Sequence, residues 1–231
     1  MRGRRRTLKS MGVDESLAVE PAPGGLDQWQ GWRVPALLFA AFAVVALMVD
    51  HGAFSGLDGW GYSHLRPHSL EYDNVAGLGQ IPVSAVILAL VVYKLRDRRR
   101  EAALWVGGYV ATLVIELAGK LIVQRPGAGA SPLTGSITVG TFPSGHTMRV
   151  IVVAAAVCVA WPRLNRLAIA LAAFTAVWVE LAGMHTISEV LGGALAGLAI
   201  VSAVRRLSRG AGWAGTRSPS ASAPRPQTPR S

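Results

Sequence analysis

Cysteine is nearly absent from this chain. Cys158 is the single one in 231 residues, which excludes a small secreted scaffold held together by disulfides. Charge is scarce as well. Only 16% of residues are Asp, Glu, Lys or Arg, 51% are apolar, and the mean hydropathy is +0.38. That much apolar content excludes simple disorder and is too oily for an ordinary soluble domain. Negative charge is the scarcest of all: 13 acidic residues stand against 23 Lys and Arg, a formal net charge of +10. A nucleic-acid-binding domain would account for that surplus but not for the hydropathy, so no nucleic-acid partner is expected. The cations and the apolar residues must instead be segregated along the chain.

Read for uncharged runs, the chain breaks into six apolar blocks: Val34–Val49, Asn74–Tyr93, Ala102–Val123, His146–Trp161, Leu167–Met184 and Ile187–Val204. Most approach the ~20 residues that a membrane-spanning helix needs. The expected fold is therefore all-α, a bundle of six transmembrane helices in a multi-pass protein of the cell membrane. The first two blocks carry no ionisable residue except Tyr93, whereas the later ones carry Glu116, Lys120, Arg149, Glu180 and Glu189. Charge at membrane depth is costly, which marks those residues as functional candidates.

The connections alternate in character. Nineteen of the 23 cations lie before block one, between two and three, between four and five, or after six. By the positive-inside rule both termini are cytoplasmic. Three of the four remaining cations, Lys120, Arg125 and Arg149, lie close to the third connection, on the opposite side. Three regions follow: a disordered basic segment over 1–33, a membrane domain over 34–206, and a disordered Ser/Pro/Arg-rich tail over 207–231. Arg5 and Arg6 faintly resemble a twin-arginine export signal, but an acidic, Pro-rich spacer follows them, and an uncleaved first helix is expected. Between blocks one and two, a loop or short interfacial helix carries Trp60, Tyr62 and Tyr72, residues suited to the headgroup layer. His64 and His68 are four apart, but with no third ligand in view no metal site is assigned to them. Gly193 and Gly197 in the last block suit close helix packing.

Three polar clusters fall at the outer ends of blocks three to six: Lys120-Leu-Ile-Val-Gln-Arg125-Pro126, then Pro143-Ser144-Gly145-His146, then His185-Thr-Ile-Ser-Glu189. Together they suit a phosphate site that needs neither metal nor cofactor. Phosphoryl transfer requires cations and oriented N–H groups around the phosphate oxygens, a nucleophile in line, and an acid for the leaving oxygen. Lys120 and Arg125 supply charge. Ser144 and Gly145 stand at a helix start, where free N–H groups bind anions. Of the two histidines, one attacks and the other protonates the departing alkoxide. Glu189 lies four residues after His185, on the same helical face, where a carboxylate can hold one imidazole tautomer.

The order Lys…Arg-Pro, Pro-Ser-Gly-His, His-x-x-x-acid at the outer ends of six helices resembles the type 2 phosphatidic acid phosphatase superfamily, the membrane lipid phosphate phosphatases. The likeness runs from about Val34 to Val204. It implies that His185 is the nucleophile, forming a phosphohistidine, with Glu189 where the family has aspartate. His146 would protonate the leaving group, and Ser144, Gly145 and Lys120 would bind phosphate.

The chain also departs from the family pattern. Seven positions beyond Lys120 stands Gly127, so the Arg-Pro that follows block three, Arg125-Pro126, falls two positions early. The third-motif Ser-Arg is replaced by Trp178 and Val179. Arg149, three residues after His146, is a candidate replacement, either touching phosphate or paired with Glu180 or Glu116. Glu180 is expected inside the bundle as a partner of Arg149. Glu116 and Lys120 form an i,i+4 pair. The expected function is hydrolysis of a lipid phosphomonoester or pyrophosphate at the extracytoplasmic face, with membrane lipids as surroundings. The alternatives are a degenerate relative that binds lipid phosphate, and a phosphotransferase using the same site.

Overall fold

The computed structural model of the chain describes residues 31–65, 78–123 and 141–210. Seven α-helices occur there: α1 Arg33–Asp50, α2 Ser55–His64, α3 Ile81–Lys94, α4 Arg99–Ile122, α5 Gly145–Ala160, α6 Asn165–Leu181 and α7 Ile187–Gly210. A 3-10 turn, Pro162–Leu164, leads into α6. No β-strand occurs among the described residues.

Each of the six apolar blocks holds a helix. Four helices are long and apolar enough to cross a membrane: α1, α4, α6 with its leading 3-10 turn, and α7. α3 and α5 are apolar but shorter. In the second block the helix begins only at Ile81 after a short 3-10 turn, later than the sequence boundary at Asn74 suggests, because Pro82 suits a first helical turn and Gln80 is extended.

α5 is the central helix, touching α3, α4, α6 and α7. Ten of its 16 residues are buried, which its small side chains permit: the stretch Val152–Ala156 consists only of Val and Ala. α7 crosses it closely. A side chain on Gly193 would meet the Ser144 carbonyl, and one on Gly197 would press on Ile151 and Met148. Small residues at this crossing let the backbones approach, as membrane helices require. α1 lies along α7, and α4 packs on α5 and α7.

The largest apolar cluster, built on Val91, Leu95, Trp105, Val152, Ala156, Ala160 and Val204, gathers toward the end of the bundle away from His146. Large apolar side chains also cover the outside, among them Leu37, Phe39, Val86, Leu117, Leu121, Ile169 and Phe174. An apolar exterior of this extent is unstable in water and suits lipid. Polar side chains fill the bundle interior at the other end, where α4 finishes and α5 and α7 begin.

Candidate active site

The α6–α7 turn is fixed by its backbone. α6 ends at Leu181, and Gly183 adopts φ 73°, a left-handed conformation that glycine takes without strain. The Met184 N–H then bonds to the Val179 carbonyl at 3.0 Å and the Gly183 N–H to the Glu180 carbonyl at 2.9 Å. These two bonds make a Schellman motif, which satisfies the last carbonyls of the helix. The His185 N–H also reaches Val179 O, at 3.1 Å, so the histidine leaves the turn in a set direction.

Glu189 meets His185 from the first turn of α7. Its Oε2 accepts from His185 Nδ1 at 2.9 Å and from the Thr186 N–H at 3.2 Å, and its Oε1 accepts from the Thr141 hydroxyl. Thr186-x-x-Glu189 is thus one half of a capping box, with the acid reaching back to the helix start. Glu189 is only 1% exposed, and a buried carboxylate needs such donors. Because a carboxylate accepts, Nδ1 of His185 carries the proton and Nε2 keeps its lone pair.

That lone pair faces the second histidine. His146 Nδ1 stands 3.4 Å from His185 Nε2, with the rings tilted by 59°. His146 is the second residue of α5, and Ser144 is its N-cap: the Ser144 hydroxyl accepts from the Thr147 N–H at 3.3 Å and from the Thr147 hydroxyl at 3.0 Å. The Ser144 N–H donates to the Glu189 carbonyl at 3.0 Å and ties the two helix starts together. Gly79 lies against the other side of His146, where a Cβ would come within 2.8 Å of the histidine Cβ.

The cations form an adjoining cluster. Arg149, 2% exposed, gives Nε to the Gly79 carbonyl at 2.7 Å and Nη1 to Glu116 Oε2. Lys120 Nζ bonds to Glu116 Oε1 at 2.7 Å. Glu116 therefore bridges two cations, and its carboxylate also touches Gly145, where no side chain would fit. Among the partners open to Arg149, Glu116 is the one it takes. Glu180 lies instead beside Gly61 and Ile187, because its side of α6 faces α2.

Seven of the eight candidate residues, His185, His146, Glu189, Ser144, Gly145, Arg149 and Lys120, are thus brought to one end of the bundle. Arg125 lies outside the described residues, as do His68 and Tyr72. Sequence reasoning missed Thr141, and it left the partner of Arg149 open among phosphate, Glu180 and Glu116, of which the structure shows Glu116. It also missed Asp58 on α2, which accepts both the N–H and the hydroxyl of Ser188. The Thr-x-x-Glu capping pattern was a readable signal for the α7 start, whereas nothing local marks Asp58.

Fold and site define a class: an all-helical membrane protein with a histidine pair, a carboxylate partner and a cation cluster gathered at one end of its helices. Residues 103–213, a little under half of the chain, match the model of the PAP2 superfamily. A solved structure, described as the first transmembrane PAP2 type phosphatidylglycerolphosphate phosphatase from Bacillus subtilis, has a similar fold. It superposes with a TM-score of 0.61 at 20% identity, over 76% of this chain and 96% of that one. No curated protein matches the chain.

Proposed function

We propose that this protein is a lipid phosphate phosphatase of the cell membrane, acting at the extracytoplasmic face on a phosphomonoester or pyrophosphate without a metal ion. Members of the PAP2 superfamily are phosphatases. The observation that carries the reading is the histidine pair: His185 Nδ1 is held by Glu189 at 2.9 Å while its Nε2 faces His146 across 3.4 Å. A nucleophile oriented by a third group, next to a proton donor, is the arrangement that covalent catalysis needs. In this reading all six apolar helices cross the membrane and both termini are cytoplasmic, in keeping with the nineteen cations on that side. The three regions at 1–33, 34–206 and 207–231 belong to the same reading.

The reaction has two steps. His185 Nε2 attacks phosphorus, the bond to the lipid oxygen breaks, and His146 gives that oxygen a proton. His146 then takes a proton from water, the water oxygen attacks the phosphohistidine, and the P–N bond breaks to release phosphate and restore both histidines. Substrate has to open the 3.4 Å gap between the rings, since phosphorus and the leaving oxygen must fit between them. The Ser144–Gly145 helix start, Lys120, Arg149 and Arg125 are the proposed phosphate cradle. Lipid tails would lie against the apolar helix faces.

The test is phosphate release from phosphatidate, phosphatidylglycerophosphate and polyprenyl diphosphate in detergent with chelator present. Release is expected from the wild-type protein and not from His185→Ala or His146→Ala. One observation favours a binding protein instead. Val179, fully buried, stands where the family pattern has an arginine, and Arg149 is engaged by Glu116. Lipid binding with no release would decide for that reading, and release only with an added alcohol acceptor would decide for a phosphotransferase.

A further inference from the structure

α2 has two unlike faces. Trp60, Tyr62 and Leu57 are exposed, whereas Asp58 and Gly61, three residues apart, are buried against the start of α7. A buried aspartate needs donors, and Asp58 has two on one residue. Its Oδ1 accepts the Ser188 N–H at 2.9 Å and its Oδ2 accepts the Ser188 hydroxyl at 2.6 Å. Ser188 is itself fully buried and stands between His185 and Glu189 in the chain.

The consequence follows from what a helix start demands. The first N–H groups of α7 have no partner within the helix, and an acidic residue in the first turn is the usual acceptor for them. Glu189 is that residue, and it already takes the Thr186 N–H. Without Asp58, the Ser188 hydroxyl still has the Thr186 hydroxyl 3.3 Å away, but the buried N–H would require another acceptor, and the carboxylate adjacent in sequence is that of Glu189. Every bond Glu189 accepted from the helix start would compete with the one it accepts from His185. Asp58 removes the competition from outside the helix.

We propose that Asp58 is a positioning residue: by binding both donors of Ser188 it leaves the Glu189 carboxylate to the His185 imidazole, which fixes the tautomer that exposes Nε2. This rests on the reading of His185 and Glu189 as the working pair. Asp58 reaches the pair through Ser188. Its loss therefore acts on turnover and not on phosphate binding, because Lys120 and Arg149 are held by Glu116 on other elements.

The experiment uses the full chain in detergent, with kcat and KM for phosphate release measured per folded molecule, and 15N NMR of histidine-labelled protein. Asp58→Ala is expected to lower kcat about 10–100-fold, the range seen when a catalytic group is slightly misplaced, with KM within about twofold. Asp58→Asn, which keeps one oxygen for the Ser188 N–H, is expected to recover part of that loss. Ser188→Ala is expected to lower kcat less than Asp58→Ala, and the double variant to fall no further than Asp58→Ala alone. In the NMR spectrum wild-type His185 is expected as one tautomer protonated at Nδ1, and in Asp58→Ala as a mixture. Unchanged kcat per folded molecule with one tautomer retained would overturn the proposal. If Asp58→Ala does not fold, Ser188→Ala and Asp58→Asn carry the same two outcomes. If wild-type protein releases no phosphate from any lipid tested, the phosphatase reading fails. The tautomer comparison then decides this one separately: a mixture in the variant upholds it, and an unchanged single form overturns it.

Discussion

His185 has a donor side fixed by Glu189 and an acceptor side turned to His146, so the two histidines are not interchangeable. Glu189→Gln retains the shape but can present an N–H where His185 needs an acceptor. In hydrolases where an acid orients the base, such a change costs up to about 10⁴-fold. Here kcat for phosphate release is expected to fall at least about 10²-fold with protein folded, and a loss under threefold would contradict the assigned tautomer. Glu116 carries a different burden, since it is the shared counter-charge of a buried Arg149 and a half-buried Lys120. Glu116→Ala leaves both cations without their carboxylate and is expected to cost roughly 3–5 kcal/mol, read as a lower unfolding midpoint in detergent. Gly145→Ala brings a methyl group against that same carboxylate. Overpacking of this kind costs about 1–3 kcal/mol, and turnover is expected to fall with stability.

Helix lengths and helix ends decide where these residues stand. At ~1.5 Å per residue, α5 with 16 residues and α3 with 14 are about 24 and 21 Å long, short of the ~30 Å hydrocarbon layer. A helix that starts late leaves room at its end, and the polar cluster occupies that room. The α6–α7 turn sets His185 through Gly183. Gly183→Ala would force a side chain into φ 73°, at a cost of about 1–2 kcal/mol. Its effect on turnover is expected to exceed its effect on unfolding, because the strain lies two residues from His185; equal proportional losses would argue against that.

The elements were largely legible in the sequence, since each apolar block is bounded by cations or by Pro and Gly and needs no knowledge of its neighbours. The start of α3 was not, because the block before Ile81 is uncharged yet turns before it becomes helical. The convergence of the three polar clusters was legible through their order and spacing. Contacts such as Asp58 with Ser188, 130 positions apart, and Arg149 with Glu116, 33 apart, depend on which helix faces meet. Nothing in the local pattern specifies that.

Over the whole molecule, charge and hydropathy divide the labour. Cations flank one end of the helices, apolar side chains face outward, and the buried polar residues gather at the other end. The proposed orientation is tested by labelling single cysteines in a Cys158→Ser background with a membrane-impermeant maleimide on intact cells. Ser63→Cys on the exposed face of α2 is expected to react, and Arg96→Cys between α3 and α4 only after the cells are opened. Reaction of Arg96→Cys from outside would invert the orientation.

The measurement that bears most directly on the central claim is a rapid alkaline quench, which preserves acid-labile phosphohistidine, applied to protein turning over a lipid labelled with ³²P in its phosphate. Label is expected on the peptide carrying His185, appearing before free phosphate and absent from His185→Ala. Phosphate release with no label on the protein, or with label on a different residue, would contradict His185 as the nucleophile.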